Sequence, residues 1–367
     1  MQKKLIALAI TAAFSAPAFA DTNIYGVVDA GFGSVTNTHT TTAGVSSKTG
    51  QSAFDFSQLW TTRFGIKSVE DLGNGMKATA VVETNIAAKN AQSDAGFGSA
   101  TVAAAPGAST APTATTLGDR ILDVNLNFGQ GTSVHVGKTS SPLRGIAYGY
   151  DAFYGSNLIG NLVTMDGSLT ARMTGAGVAH TAGPFTVTFD MMDNTRTADG
   201  AADAKTGNGF ELTGGYKQNA LSVSAGYRSL KTVAVTAPTT TADATTKDLI
   251  LAASYDFGMA KLYGQYATVT VDTSVPAATA STKKTYETVG VNVPFTSTLA
   301  GYVQTSFGKN DTGTDSPKMS AYAVGAKYDF SKSTFAYGDV GSAKSDQTAI
   351  TAGSKVDQIA FGLVHSF

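Results

Sequence analysis

"ILDVNLNFGQGTSVHVGK", residues 121–138, alternates on both sides of a four-residue break. Leu122, Val124, Leu126 and Phe128 share one parity; Asp123, Asn125 and Asn127 share the other. After "FGQG" the alternation resumes, with Val134 and Val136 on the apolar side and His135 on the polar side. Period-two alternation around a short Gly-rich break is the signature of a β-hairpin. One hairpin decides little. Its repetition along the whole chain decides the fold.

"IYGVVDAGFG" sets Tyr25, Val27 and Asp29 against Ile24, Gly26, Val28 and Phe32. "LWTTRFGIK" sets Trp60, Phe64 and Ile66 against Arg63, Gly65 and Lys67. "FTVTFDMM", "FELTGGYK", "LSVSAGYR", "LILAASYDFG" and "AKLYGQYA" follow the same scheme. The breaks alternate in length. "EDLGNG", "FGQG", "TAGP", "KQNA", "FGMA", "FTST" and "SKS" are tight turns of Gly, Asn, Pro and Ser. Between them lie longer polar stretches, at 34–55, 89–117, 139–166, 194–206, 231–246, 271–283 and 309–317, read as loops. Seven turns make seven hairpins, and a first strand near 23–33 plus a last near 355–367 bring the total to sixteen.

Composition sets the surroundings. Lys3 and Lys4, a short apolar run and Ala18-Phe19-Ala20 read as an export signal over residues 1–20. The mature domain is then 21–367 and acts outside the cytoplasm. The chain has no cysteine, which excludes disulfides, thiolate chemistry and cysteine-held metals. Charged residues are 14% of the chain and the net charge is −1, so no basic face for nucleic acid is implied. After residue 20 no apolar run is long enough for a spanning helix. A membrane chain of this kind must cross as a closed barrel, because only helices and closed barrels satisfy every backbone group in lipid. Short turns at one end and long loops at the other are what an outer-membrane barrel shows. A barrel of sixteen strands encloses water rather than a packed core. A soluble β-sandwich would not sort its connections by length.

Parity also assigns side chains. Trp60, Tyr216, Tyr227, Tyr255, Phe257, Tyr266, Tyr328 and Phe330 are expected in the aromatic girdles. Arg63 shares parity with Gly65 and Lys67; facing lipid at mid-height it would cost ~2–4 kcal/mol, so it is expected inside. Asp29, Lys67, Lys77, Glu83 and Asp123 are expected to line the lumen. Arg120 shares parity with Leu122 and Val124 and is expected to point outward. His39, His135, His180 and His365 stand beside no nucleophile elbow or paired carboxylates, so no catalysis and no cofactor is expected.

"NIYGVVDAGFG", "TRFGIKSVEDLGNGMKA", "FGQGTSVHVGK", "SSPLRG", "SYDFGMAKLYGQY" and the closing "FGLVHSF" occur in this order over nearly the whole mature chain. In this the chain resembles the general porins of beta-proteobacteria, relatives of the neisserial porins. The resemblance implies a sixteen-stranded antiparallel barrel, a homotrimer, and a third external loop folded into the lumen. It implies passive passage of small hydrophilic solutes and ions across the outer membrane. Outer-membrane lipids, lipopolysaccharide and the barrel assembly machinery are the further partners expected. Phe367, the terminal aromatic, resembles the signal that this machinery reads.

The resemblance places the constriction at Arg63, Lys138, Arg144, Asp151 and Arg172, with Tyr148 on the same loop and Pro142 stiffening its start. By alternation Lys138 belongs with the outward Val134 and Val136, so a bulge or an inward turn is needed there. The chain departs from the family in having Lys138-Thr139 for Arg-Gln and Ala179-His180 for Arg-Tyr. Only Asp151 and Asp166 are acidic in its third loop. Basic wall residues predict a mild anion preference. Two other readings stay open: a barrel serving mainly as a surface adhesin or receptor through its Thr-rich loops, and a substrate-selective channel. The Ala/Thr-rich stretch 96–116 is read as an extended second external loop.

Overall fold

The computed structural model describes residues 21–86, 117–153, 155–156, 158–195, 205–236, 240–275 and 278–367. The expected export signal and the stretch 96–116 lie outside the described residues. The strands are β1 (Asp21–Thr40), β2 (Ser46–Phe56), β3 (Arg63–Gly73), β4 (Met76–Asn85), β5 (Ile121–Asn127) and β6 (Thr132–Ser140). Two helices follow, α1 (Pro142–Gly149) and α2 (Leu162–Met165). Then come β7 (Arg172–Ala182), β8 (Phe185–Thr195), β9 (Lys205–Gln218), β10 (Leu221–Thr236), β11 (Thr240–Asp256) and β12 (Lys261–Val275). The last are β13 (Ala278–Pro294), β14 (Leu299–Asp311), β15 (Lys318–Asp329), β16 (Thr334–Ser345) and β17 (Gly353–Ser366).

These segments form one antiparallel sheet in which β1 also pairs with β17, so the sheet closes. Among the described residues there are seventeen segments but sixteen positions around the barrel. β1 pairs with β2 along its upper half and with β3 along its lower half, so β2 and β3 share one position. At the seam Gly26 and Phe367 exchange backbone bonds of 3.0 and 3.1 Å. The Phe367 ring lies where a Cβ on residue 26 would stand, which glycine alone permits.

The alternation expected of residues 121–138 is what the structure shows. Leu122, Val124 and Val136 are 54%, 58% and 64% exposed on the outer face, while Asp123 and His135 turn inward. Phe185, Val187 and Phe189 continue this outer band, as do Leu262, Val303, Phe361 and Leu363. A continuous apolar outer face is a liability in water and the required surface in lipid. His365, at a girdle position, is satisfied across the strand pair by Thr334 at 2.8 Å.

Two expectations need correction. Three of the seven stretches read as loops are largely paired ribbon. β1 runs to Thr40 and returns as β2; β10–β11 and β12–β13 likewise extend their pairing deep into 231–246 and 271–283. Thr and Val in those stretches favour extended backbone, so polarity there marks water rather than irregularity. Trp60 is not a girdle residue. Residues 57–62 leave the ladder between the pairs Ala30–Phe56 and Val27–Arg63, so six residues stand opposite two. Parity counted back from Phe64 is lost, and Trp60 turns inward onto Phe335 with ring centroids 5.1 Å apart.

Candidate functional site

The segment between β6 and β7, residues 141–171, runs inside the barrel, as the resemblance led one to expect. Its start follows from local chemistry. Ser141 caps α1 by accepting from Arg144 N at 3.0 Å, and Pro142 opens the first turn. Leu143, Ile146, Ala147 and Tyr150 fall at helical spacing and are buried against the wall. Gly226 on β10 leaves the room, since a Cβ there would meet Leu143 Cδ1 at 3.0 Å. Arg144 and Tyr148, one turn apart on the opposite face, stack with the guanidinium 4.3 Å from the ring centroid.

Polar wall residues hold the rest of the loop. Leu143 N donates to the Glu211 carboxylate. Tyr150 Oη bonds Ser222 Oγ at 2.7 Å and Ser224 Oγ at 2.8 Å. Ala152 N donates to Gln304 Oε1 at 2.9 Å and Ile159 N to Gln358 Oε1 at 3.0 Å. Asn161 is tied to Gln265 and Thr288, each at 3.0 Å. Asp166 accepts from Tyr286 Oη at 2.7 Å and Lys284 Nζ at 3.0 Å. Arg228 clamps the loop's end, bonding Asp248 and Ser168 together. The anchoring strands run from β9 to β17, so the loop lies against that half of the wall and leaves the other half open.

The open half carries a separate charge cluster, which Arg144 of the loop joins. Arg120 Nε bonds Glu83 Oε1 at 2.6 Å, and Arg63 Nε stands 3.6 Å from Glu83 Oε2. Tyr25 Oη donates to Glu83 Oε2 at 3.0 Å, and Arg120 Nη1 to Asn85 Oδ1 at 2.8 Å. Arg63 Nη1 also donates to the Thr61 carbonyl at 3.1 Å. Arg172, on the first residue of β7, lies within electrostatic reach of Arg120, Arg144, Glu83 and Tyr148, and its Nε has no partner. Burial lowers the Arg144 pKa, the Arg120 charge lowers it further, and Tyr148 acts the other way. Four guanidinium groups therefore gather here, and among the described residues one carboxylate, Glu83, stands with them.

Against the sequence reading, Arg63, Arg144 and Arg172 come together and two assigned residues do not. Lys138 pairs with the outward Leu122 in unbroken register, and its Nζ caps the Asp119 carbonyl at the rim. Neither a bulge nor an inward turn brings it to the lumen. Asp151 is 3% exposed, with its carboxylate folded onto Phe153 N at 3.2 Å and Ser156 N at 3.3 Å. Burial raises its pKa; the hydrogen bonds it accepts oppose this. It shapes the loop and presents no charge to water.

Arg120 was missed and is 8% exposed within the cluster. Parity failed because it precedes β5, where the chain has not yet entered the ladder. Asp119, bonded to Thr84 and Asn85, holds that turn. Among the expected lumen residues, Glu83 belongs to the cluster, while Lys67 and Lys77 are exposed on the inward parity nearer the turn that joins β3 to β4. Asp123 bonds His135 Nδ1 at 3.1 Å, and His135 Nε2 reaches Asp190 at 2.6 Å. Asp29 is wholly buried beneath residues 57–62 rather than facing water.

A closed sixteen-position barrel with an apolar outside, a charged inside and one loop folded into it is the architecture of an outer-membrane channel protein. The chain belongs to the Gram-negative porin family, whose model matches residues 7–348, and its place is the Gram-negative outer membrane. Over 168 residues it is 32% identical to the major outer membrane protein P.IB of Neisseria gonorrhoeae, covering 46% of this chain. That match takes in 40% of the curated relative, less than half its length. Among solved structures it is similar to the anion-selective porin from Comamonas acidovorans, with a TM-score of 0.68 at 20% identity, covering 95% of this chain and 100% of that one. It is also similar to the trimer form of OmpT from Vibrio cholerae, with a TM-score of 0.65 at 13% identity, covering 95% and 99% of the two chains. The family and fold are those of a channel rather than an enzyme.

Proposed function

We propose that the protein is a general diffusion porin: a water-filled outer-membrane channel for small hydrophilic solutes and ions, with a mild preference for anions and no catalytic role. The observation that carries this is the cluster of Arg63, Arg120 and Arg172 with Arg144 of the infolded loop, among which the described residues place one carboxylate, Glu83. Fixed positive charge beside a narrow aqueous passage raises the local concentration of anions and depletes cations. The similar Comamonas acidovorans protein is titled an anion-selective porin, which agrees with this reading.

The proposal includes a homotrimer. A relative of the same fold is described in a trimer form. The wall is also lowest on one side, where β4 to β6 have 10, 7 and 9 residues against 15 to 17 for β11 to β13. A low apolar side is suited to being covered by neighbouring copies. Outer-membrane lipids and lipopolysaccharide would meet the remaining outer face, and the assembly machinery would read Phe367. In planar bilayers the purified protein should insert with stepwise conductance in groups of three. Its reversal potential in a salt gradient should carry the sign of anion preference. Cation preference would refute the role given to the arginines.

A further inference from the structure

Asp29 is an unusual wall residue for a water-filled barrel. It sits on the lumen parity of β1 yet is 0% exposed. Residues 57–62 cover it. Both oxygens of its carboxylate are engaged. Oδ2 accepts from Leu59 N at 2.6 Å and Trp60 N at 2.7 Å, and Oδ1 accepts from Tyr337 Oη at 2.9 Å. Its own backbone completes the junction: Ser57 N donates to the Asp29 carbonyl at 2.9 Å, and Asp29 N donates to Thr62 Oγ1 at 3.1 Å. These bonds replace the ladder that the extra residues interrupt, which backbone at membrane depth requires.

The turn that Asp29 holds touches the passage on two sides. On one, the Thr61 carbonyl takes the Arg63 guanidinium at 3.1 Å. This keeps Arg63 Nε 3.6 Å from Glu83, short of full contact. On the other, Leu59 is buried with Phe153, Leu158 and Tyr302, against the tip of the infolded loop. The gap left among these side chains is about 20 Å³. That is room for about one water, so the turn and the loop brace each other directly.

We propose that Asp29 is a positioning residue of the channel. Through the inward turn 57–62 it fixes the Arg63 guanidinium on one side and the tip of the infolded loop on the other, setting both ion preference and passage width. This rests on the reading of the protein as an anion-preferring porin. Two adjacent backbone N–H groups aimed at one carboxylate oxygen make a charge-assisted anchor that a neutral side chain cannot match. Without it, Arg63 is free to close onto Glu83 and be neutralised, and the loop loses its support at Leu59.

The test compares wild type, Asp29→Asn, Asp29→Ala and Leu59→Ala in planar bilayers, after each has been shown to form a heat-modifiable barrel. Asp29→Ala is expected to lower the anion-to-cation permeability ratio and to raise open-channel noise; Asp29→Asn should fall between it and wild type. Leu59→Ala leaves the anchor and Arg63 intact, so it should raise noise and conductance with the ratio unchanged. That split is one a merely structural role would not produce, since lost stability lowers the yield of barrels without changing what a folded barrel conducts. If the Asp29→Ala chain does not fold, Asp29→Asn and Leu59→Ala still give the reading. Wild-type ratio and noise in folded Asp29 variants would overturn the proposal while leaving the porin reading intact. A wild type that conducts nothing would overturn both.

Discussion

Replacing Glu83 by glutamine tests the electrostatic reading with little change of shape. Gln keeps one oxygen to accept from Arg120, and its amide NH2 can donate to the Tyr25 hydroxyl oxygen where the carboxylate accepted from it, so the contacts at 2.6 and 3.0 Å have near-equivalents. What goes is the one negative charge that the described residues place among Arg63, Arg120, Arg144 and Arg172. An ion passing through water at about 7 Å from that charge feels ~0.6 kcal/mol of unscreened interaction. Screening at 0.1 M salt, with a Debye length of about 10 Å, halves this to ~0.3 kcal/mol, a factor of roughly 1.7 for each ion sign. Anions gain what cations lose, so the permeability ratio should rise about threefold at that salt concentration. At 1 M, with a Debye length of about 3 Å, the change should almost vanish. Reversal potentials measured across matched salt gradients at the two mean concentrations give both numbers. A shift toward cations, or one that persists undiminished at 1 M, would refute the placement of Glu83 beside the ion path.

Arg144→Ala removes a positive charge and its stack on Tyr148, and by the same arithmetic should lower the anion preference about threefold at 0.1 M salt, read as a reversal potential. Asp151→Asn should leave selectivity at the wild-type value, because that carboxyl is enclosed by the loop's own backbone; a shift toward anions in bilayer recordings would return it to the lumen. Gly226→Val should force α1 off the wall against Leu143 and Ile146 and lower single-channel conductance. Asp315, in the loop after β14, is held below the usual carboxylate range by hydrogen bonds from Thr348 and Thr351. Its stabilising effect on that loop is therefore complete above the ordinary carboxylate pKa and is lost as pH falls through the depressed value. Hydrogen exchange at residues 346–351 should quicken on acidification, and Asp315→Asn should remove the dependence.

How far the sequence could be read depends on what the ladder controls. Where a residue lies within paired strand, parity decides which face it takes, because a one-residue slip would turn the whole apolar set into water. Leu122, Val124, Asp123 and His135 could be assigned from the quoted hairpin alone, and even Lys138 kept the outward parity that alternation gave it. The infolded loop was legible only through resemblance, since its anchors are single wall residues such as Gln304, Gln358 and Gln265, scattered over more than ninety positions of sequence. The side chains assigned by parity to the wrong face fall where the ladder stops. Arg120 precedes the first rung of β5, and Trp60 lies in a turn whose sequence still alternates. Nothing local in "SQLWTT" marks that departure. Its cause is Asp29, some thirty residues earlier, whose carboxylate offers those backbone N–H groups a better partner than the neighbouring strand can. The same departure that defeats pattern reading sets Arg63 in place, so the least legible part of the wall is also the part that touches the passage.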